Sequence, residues 1–335
     1  MRNILKEGLQ AIVMGCVLPA VLIGFVMLMT NPVIGGEETK PIQTTAPVVI
    51  TPETQLPTQP HNEKRLYIDV IQDGERTEME LEAYILGVVL GEMPATFELE
   101  ALKAQAVVAR TYTLKACVDS GRHKGAVCTE SGCCQAYQDL QVYLEKGGTK
   151  EALLKVKEAV EQTSGQVLTY EGELITATYF SCSGGSTEDA AAVWGYDVPY
   201  LKAVESPGEE DASVFTKQVT FTSSEFQKKL AIRLSGEPED WFGKVRYTPG
   251  GGVQTMEIGG VSYRGTTIRS LLKLRSTNFT VAVNGESITF TTKGYGHRVG
   301  MSQYGADAMA VTGAGYKEIL AHYYQGTKLE IYPFE

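Results

Sequence analysis

One carboxylate stands where a helix is predicted to end. Apolar residues recur at helical spacing before Glu92, and Pro94 follows two residues later, where it stops the helix. The Glu92 side chain is therefore expected at the negative end of a helix dipole, which disfavours a charged carboxylate and raises its pKa. A raised pKa is what a general acid needs at neutral pH. On position alone a solvated glutamate is the simpler interpretation, because a dipole contributes only about 0.3–1 kcal/mol at exposed sites.

A second group of reactive side chains lies in one short segment. The stretch HKGAVCTESGCC brings together His123, Cys128, Cys133 and Cys134, the four soft ligands that a structural zinc ion prefers. Because Cys133 and Cys134 are adjacent, both can bind one ion only across a sharp bend. The alternative is a disulfide, such as Cys128 with Cys134. Of the 6 cysteines, Cys16 lies in an apolar N-terminal run, which leaves an odd number that cannot pair completely within one chain.

Composition limits the class of protein. The chain has 335 residues, 43% of them hydrophobic, which suits one large globular unit or two lobes. The formal net charge of −10 argues against a nucleic-acid-binding protein, because phosphate binding needs a basic surface.

Residues 1–30 are predicted to anchor the chain in a membrane. The run from Leu9 to Met29 has no charged residue and is long enough to cross a bilayer as one helix. Arg2 and Lys6 precede it and Glu37 follows, so the positive-inside rule puts the N-terminus in the cytoplasm. A cleaved signal peptide is the alternative, although the run is longer than a usual h-region and no clean cleavage site follows. Either way, the bulk of the chain is expected outside the membrane.

The rest of the sequence predicts an α+β fold with two lobes. Residues 31–64 are rich in proline and threonine and are expected to form an extended, semi-rigid linker. Residues 65–203 and 293–335 are predicted to form a helix-rich catalytic lobe, and residues 204–292 a β-rich second lobe. A cleft between the two lobes is the default place for a site.

Local patterns predict the main elements. In the helix-rich lobe a first helix ends before Pro94, a second runs from about Glu98 to Cys117, and a third is capped by Thr149 and ended by Gly165. The other predicted elements there are a hairpin made from Val167–Thr169 and Leu174–Phe180 and a final helix around Tyr316 to Tyr324. In the second lobe, segments such as VTFTSSEF and NFTVAVNGESITFTT are predicted as short strands.

Several separated segments share a resemblance to one family. The stretch GEMPATFELEALKAQAVVARTYTL, which contains Glu92, closely resembles the signature of the stage II sporulation protein D family. The domain of that family is shared with a group of amidase-enhancer proteins. The similarity continues from Tyr179 to Leu201 in YFSCSGGSTEDAAAVWGYDVPYL, and it resumes in LRSTNFTV and in GYGHRVGMSQYGA. These segments span nearly the whole part from about Leu66 to Tyr332.

The resemblance implies a lytic transglycosylase that acts on peptidoglycan. Members cleave the bond between N-acetylmuramic acid and N-acetylglucosamine, favour glycan strands stripped of stem peptides, and have their catalytic glutamate at the position of Glu92. An ordinary glycosidase needs two carboxylates. If the C6 hydroxyl of the muramic sugar attacks, the nucleophile is already tethered and one acid suffices, with a 1,6-anhydro product. Glu188 and Asp189 remain open as partner carboxylates.

Other residues in the matched segments are predicted to bind the substrate. Lys103 follows Glu92 within the same motif and is expected to stabilise sugar-oxygen charge or to bond an acetamido group. The remaining candidates are aromatic, hydroxyl or polar groups suited to sugar recognition, namely Tyr179, Ser183, Ser186, His297 and Gln303. Arg110 is predicted to anchor the fold through a buried pair.

Two features bear on how this chain differs within the family. Members commonly have glycine at the position of Arg298, which leaves the shape of that loop open. Clostridial-type members carry a zinc site in the cysteine-rich loop, with histidine where Cys133 stands here.

The resemblance also implies a cellular setting. It predicts a membrane-anchored enzyme that acts during engulfment of the forespore, with its catalytic domain facing the space between the mother-cell and forespore membranes. Implied partners are an amidase, stage II sporulation protein P, and a membrane scaffold, stage II sporulation protein M. Two rival hypotheses remain: a non-catalytic amidase enhancer that binds glycan, and a thiol hydrolase that uses Cys182 with His297 or His322.

Overall fold

A computed structural model of the chain describes residues 65–119 and 121–333. These residues belong to one compact unit, in which helices and small sheets are mixed, as the α+β prediction requires. The predicted membrane segment and the linker lie outside the described residues. Within the described ranges, no helix is both long and apolar enough to cross a membrane.

The first part of the described chain is mainly helical. Its helices are α1 Leu81–Glu92, α2 Leu99–Val118, α3 Leu140–Glu145, α4 Lys150–Gln162 and α5 Ala190–Trp194. Its strands are β1 Tyr67–Gln72, β2 Glu75–Glu80, β3 Ala126–Cys128, β4 Gln166–Tyr170, β5 Glu173–Leu174, β6 Tyr179–Phe180, β7 Gly185–Ser186 and β8 Glu205–Ser206. The three longest helices match the predicted ones, and the hydroxyl of Thr149 accepts from the N–H of Ala152 as the N-cap of α4.

The second part carries longer strands and shorter helices. Its strands are β9 Thr216–Thr222, β10 Phe242–Tyr247, β11 Val253–Ile258, β12 Val261–Arg264, β13 Phe279–Asn284, β14 Ser287–Lys293, β15 Met301–Ser302 and β16 Lys328–Ile331. Its helices are α6 Ser223–Leu230, α7 Gly265–Leu272, α8 Gln303–Val311 and α9 Tyr316–Tyr323. The last helix agrees with its predicted position to within one residue.

Helix α2 lies at the centre of the larger hydrophobic core. It packs against α1, α4, α8 and α9, and its side chains at Ala101, Ala104 and Val108 are fully buried. Small side chains let the neighbouring backbones approach closely, so the alanine-rich sequence explains the central position. Arg110 on the same helix is fully buried, and its Nη2 lies 2.6 Å from Oε2 of Glu82. The predicted buried pair is therefore confirmed.

A smaller core forms between two three-stranded sheets and two helices. One sheet has the order β10-β11-β12 and the other β13-β14-β9, and both are antiparallel. Helices α6 and α7 cover them, with Phe226, Ile268 and Phe290 fully buried in between. This core is separate from the larger one. The boundaries of the two lobes stay a prediction.

Two local predictions were right only in part, because β4 and β5 form the predicted hairpin and β9 the predicted strand, but the residues that follow differ. The segment after Leu174 does not continue the hairpin: β5 ends there, and β6 pairs in parallel with β15 instead. In VTFTSSEF only the first half is a strand, because the hydroxyl of Thr222 accepts from the N–H of Glu225 and the Glu225 side chain bonds back to the N–H of Thr222. That capping box starts α6 in a segment that the sequence pattern predicts as β-rich.

Candidate functional site

Glu92 is the last residue of α1, where the sequence predicts it. The chain leaves the helix at Met93, whose N–H still bonds to the carbonyl of Val89. One carboxylate oxygen of Glu92, Oε1, accepts from the N–H of Ala136 at 2.5 Å. The carboxyl group is thus held between the end of α1 and the segment that follows the cysteine-rich loop.

Two further polar side chains reach Glu92 because of one strand pair. Strands β6 and β15 run parallel, with Tyr179 opposite Met301, so Tyr179 and Gln303 lie side by side although they are far apart in sequence. Both side chains lie close enough to Glu92 to lower its pKa. The Tyr179 hydroxyl lies between Glu92 and Gln135, 3.1 Å from Oε1 of the latter.

The support for Tyr179 extends back to α2. Gln135 donates from Nε2 to the hydroxyl of Thr113 at 2.8 Å, and both side chains are buried. Glu92, Tyr179, Gln135 and Thr113 therefore form one hydrogen-bonded chain. Neither Gln135 nor Ala136 was predicted from the sequence, since an amide next to a cysteine pair carries no signal of its own.

Burial controls the protonation of this group. Loss of solvent raises the pKa of Glu92 above its ordinary value of 4.5, and the Ala136 N–H and the nearby Tyr179 and Gln303 side chains oppose that rise. The predicted direction is therefore found, but its main cause is burial rather than the helix dipole. Burial and the nearby Glu92 charge also raise the pKa of the Tyr179 phenol well above 10.0, so the phenol keeps its proton.

The His297 ring is neutral and contacts the backbone of Tyr179. Burial, followed by the charge of Arg269, lowers the pKa of His297 to about 4. Its Nδ1 accepts from the N–H of Val299 at 3.1 Å, and its ring also bonds the backbone of Tyr179. The ring packs against Phe180 and Trp194, with centroid distances of 5.6 and 5.8 Å.

Three predicted substrate contacts have other partners in this structure. The Nζ of Lys103 lies 2.6 Å from Oε1 of Glu100. The hydroxyl of Ser186 bonds to the carbonyl of Val204, and Ser183 is fully buried with its hydroxyl accepting from the N–H of Gly185. The structure brings none of the three hydroxyl or ammonium groups into contact with Glu92, and their roles stay predictions.

The loop around Arg298 explains the glycine that the family commonly has there. Arg298 has a φ of 68°, in the left-handed region that favours glycine. Its fully buried guanidinium lies 3.0 Å from Oε1 of Glu188 and donates to the carbonyls of Ser183, Ser186 and Gly250. These bonds hold the strained backbone in place. Because of these bonds, Glu188 is paired with Arg298 and not with Glu92.

Cys182 does not have the surroundings of a nucleophile. Its buried thiol donates to Oε2 of Glu209 at 2.9 Å. Burial and the Glu209 charge raise the pKa of the Cys182 thiol, which disfavours the reactive thiolate. His297 and His322 are bonded elsewhere, so no Cys–His pair forms at this position.

The cysteine-rich loop brings its predicted ligands together. One donor atom from each of His123, Cys128, Cys133 and Cys134 lies within 4.8 Å of all the others. No disulfide forms among the cysteines of the described chain. Two thiols, an adjacent third and an imidazole at such spacing fit a tetrahedral metal site, so this cluster could hold a metal ion.

A tight turn supplies the bend that adjacent cysteine ligands require. The N–H groups of Cys133 and Cys134 both donate to the carbonyl of Glu130, each at 2.9 Å. Arg122 donates to the sulfur of Cys133 at 3.1 Å and lowers the pKa of that thiol to about 7. The cluster lies just before Gln135 and Ala136, so it fixes the segment that binds Glu92.

Comparisons with known proteins identify the class. The sequence model of the family described as "Stage II sporulation protein" matches residues 73–170. The chain is 42% identical over 255 residues to stage II sporulation protein D of Bacillus subtilis (strain 168), covering 74% of each chain. The chain therefore belongs to the stage II sporulation protein D family.

Two other relatives define how widely this similarity extends. Stage II sporulation protein D of Bacillus amyloliquefaciens is also 42% identical over 255 residues, again with 74% of each chain covered. The amidase enhancer of Bacillus subtilis (strain 168) is 32% identical over 300 residues, which cover 73% of this chain and 40% of that protein.

Proposed function

We propose that this chain is a lytic transglycosylase that cleaves the bond between N-acetylmuramic acid and N-acetylglucosamine in peptide-stripped glycan strands. One observation carries the proposal: the half-buried carboxyl group of Glu92 has a raised pKa and uncharged polar neighbours. Among the described residues, the polar groups against Glu92 are the Ala136 N–H, the Tyr179 phenol and the Gln303 amide. None of them is a second carboxylate, as hydrolysis by a pair of acids would require.

In the proposed reaction Glu92 acts first as an acid and then as a base. The protonated carboxyl group donates its proton to the leaving glycosidic oxygen, and the C6 hydroxyl of the muramic sugar attacks its own C1. Glu92 then accepts the C6 hydroxyl proton, which restores its starting state. The attacking group is part of the substrate, so the entropic cost of bringing in a nucleophile is avoided.

The neighbours of Glu92 would hold its carboxyl group in one orientation through this cycle. Ala136 stabilises the carboxylate after the first proton transfer, since its N–H donates to it. The Tyr179 phenol lies beside the same carboxylate and also favours its charged form. The neutral ring of His297 and the adjacent Trp194 offer flat surfaces for sugar stacking. Lys103, Ser183, Ser186 and Gln303 complete the proposed substrate-binding set.

The relatives named as sporulation proteins support a role in sporulation for this chain as well. We place its activity at the engulfment of the forespore, with the chain anchored through the run from Leu9 to Met29 and the catalytic part outside the cytoplasm. An amidase that removes stem peptides, stage II sporulation protein P, would supply its substrate, and stage II sporulation protein M would hold it at the membrane.

A second candidate function follows from the relative that is named an amidase enhancer. In that case the chain binds glycan and activates an amidase without cleaving the strand itself. Glu92 would then be dispensable for the activation.

Digestion of purified, peptide-free glycan strands tests the main proposal. The wild-type chain should release products with anhydro-muramic ends, and Glu92→Gln should reduce the rate by about 100-fold to 10,000-fold, because the proton donor is lost. Cys182→Ser serves as the control that should retain activity. Full cleavage by Glu92→Gln would refute Glu92 as the acid. No cleavage by folded wild-type protein would refute the enzyme and leave the amidase enhancer.

We also propose that the cluster of His123, Cys128, Cys133 and Cys134 binds a structural zinc ion. Its four donors would close the coordination shell, which leaves no position for a substrate. The ion would therefore brace the turn that leads to Ala136 and would take no part in the chemistry.

Zinc content and thermal unfolding test this site together. Protein purified without chelator should contain one zinc ion per chain, and Cys128→Ser should lose the metal and lower the melting temperature. Cys117→Ser is the matched control, since Cys117 lies outside the cluster. Metal-free protein with unchanged melting temperature would contradict the proposal.

A further inference from the structure

A cavity lies away from Glu92 and has both polar and apolar side chains in its lining. Its volume is about 330 Å³, and it opens between α5 and the sheet formed by β10, β11 and β12. Its size falls at the lower end of the range typical of ligand sites, about 300–1,000 Å³. None of the residues that surround Glu92 contributes to it.

Two arginines flank one threonine on the floor of this cavity. In the sheet register Arg246 pairs with Thr255, and Thr255 pairs with Arg264, so the three side chains lie in a row across neighbouring strands. All three line the cavity. Neither guanidinium forms an ion pair with an acidic residue of the described chain. Both arginines are exposed, and guanidinium groups without an acidic partner favour binding of an anion.

Glu188, which also lines the cavity, has one carboxylate oxygen without a partner. Glu188 is fully buried, and its Oε1 bonds to Arg298, Thr248 and the N–H of Gly252. Its other oxygen, Oε2, has no hydrogen-bond partner. A buried, unpartnered carboxylate oxygen is costly unless a ligand or water supplies a donor. Because Arg298 offsets the charge of Glu188, this carboxylate does not cancel the attraction of the two arginines for an anion.

We propose that this cavity binds a muramoyl residue through its free lactyl carboxylate. The carboxylate would lie between Arg246 and Arg264, and a hydroxyl or the acetamido N–H of the same sugar would donate to Oε2 of Glu188. The inference rests on the proposed action on glycan strands. It adds a binding site outside the catalytic centre.

This arrangement would distinguish stripped strands from peptide-bearing ones. An attached stem peptide converts the lactyl carboxylate into a neutral amide, which removes the charge that the two arginines recognise. Removal of the peptide therefore creates the group that the cavity binds. The cavity is linked to the catalytic centre through Glu188, Arg298 and the adjacent His297, which bonds the backbone of Tyr179.

Calorimetric titration of the folded chain tests the binding. The ligands are N-acetylmuramic acid, its methyl ester, N-acetylglucosamine and inorganic phosphate, each titrated into the Glu92→Gln protein so that turnover cannot interfere. Only the free acid should bind measurably, and Arg246→Ala or Arg264→Ala should each weaken that binding by about tenfold to a hundredfold. Arg233→Ala is the matched control, because Arg233 is exposed and does not line the cavity.

The other outcomes decide against the proposal in distinct ways. Equal binding of the acid and its methyl ester would show that the charge is not recognised, and binding of phosphate alone would indicate a general anion site. Unchanged affinity in both arginine variants would locate the binding elsewhere. A chain that binds the free acid but never cleaves strands would retain this site and lose only the proposed enzyme activity.

Discussion

At Glu92, burial and hydrogen bonding act in opposite directions on the same carboxyl group. Burial favours the neutral form and so prepares the group to donate a proton, whereas the Ala136 N–H and the nearby Tyr179 and Gln303 side chains favour the charged form. A group that must alternate between acid and base needs both influences. The protein therefore holds a carboxyl group in a place that weakens its own fold when that group ionises.

Replacing this carboxyl group should stabilise the protein at neutral pH. The pKa of Glu92 in the folded state is raised above its unfolded value of 4.5, so ionisation costs stability as the pH rises above that value. Glu92→Gln keeps the shape without the charge. Its free energy of unfolding should exceed that of wild type at pH 7, and the gain should vanish in acid, below about pH 4. Urea unfolding across this range measures it.

The exposed Glu173→Gln is the control for that experiment. A gain at pH 7 that is equally large in both variants would show that the effect reflects net charge rather than the burial of Glu92.

Among the elements, the last turn of α1 sets the position of Glu92. A Cβ added at Gly91 would lie 2.9 Å from the backbone nitrogen of Tyr137 and 3.0 Å from the carbonyl of Ala136. The helix and the segment after the cysteine-rich loop therefore touch backbone to backbone, and this contact brings the Ala136 N–H to Glu92. The proposed zinc site would fix the same segment from its other side.

Gly91→Ala should move that segment and lower activity. In a free helix the change would stabilise by about 1 kcal/mol, but here the new methyl group meets backbone that cannot rotate away. We expect a loss of about 1–3 kcal/mol in stability and of up to about 100-fold in the rate of glycan cleavage. Thermal unfolding and product release measure the two effects. At Gly121 a Cβ would meet open space, so Gly121→Ala should change neither stability nor activity. Wild-type activity in Gly91→Ala would show that this backbone contact does not position Glu92.

Local sequence patterns predicted the main helices but not which distant segments pair or pack together. Pro94 marked the end of α1 and Thr149 the start of α4, because capping and helix-stopping residues act over a few positions. The pairing of β6 with β15 brings Tyr179 to Gln303 across more than a hundred residues, and nothing near either residue encodes it. The helix α6 was missed because its short amphipathic sequence follows directly on a strand.

At the scale of the whole molecule, one buried ion pair joins the two hydrophobic cores. Glu188 and Arg298 belong to segments beside the larger core, and both bond to the turn at Thr248 to Gly252 beside the smaller one. The sequence marked Arg298 only as a departure from the family. Neither the partner of Arg298 nor its left-handed backbone conformation could be predicted from the sequence, since both depend on folding of the complete chain.

Breaking this pair should destabilise the whole described fold. Arg298→Met leaves the Glu188 charge buried without compensation, and we expect a loss of about 3–5 kcal/mol in the free energy of unfolding. Adding Glu188→Gln in the same chain should recover part of that loss. The exposed pair of Arg76 and Asp69 is the control, because Arg76→Ala should cost no more than about 1 kcal/mol. A loss from Arg298→Met no larger than that of the control would contradict this role.

Cleavage in water enriched in heavy oxygen tests directly whether the C6 hydroxyl of the muramic sugar or a water molecule attacks the glycosidic bond. If the C6 hydroxyl of the substrate attacks, peptide-free strands digested by the wild-type chain carry 1,6-anhydro ends, and mass spectrometry finds no heavy oxygen in them. If water attacks, the new reducing ends carry heavy oxygen, and a second carboxylate must assist Glu92. We expect anhydro ends without the label, and labelled reducing ends would exclude attack by the C6 hydroxyl.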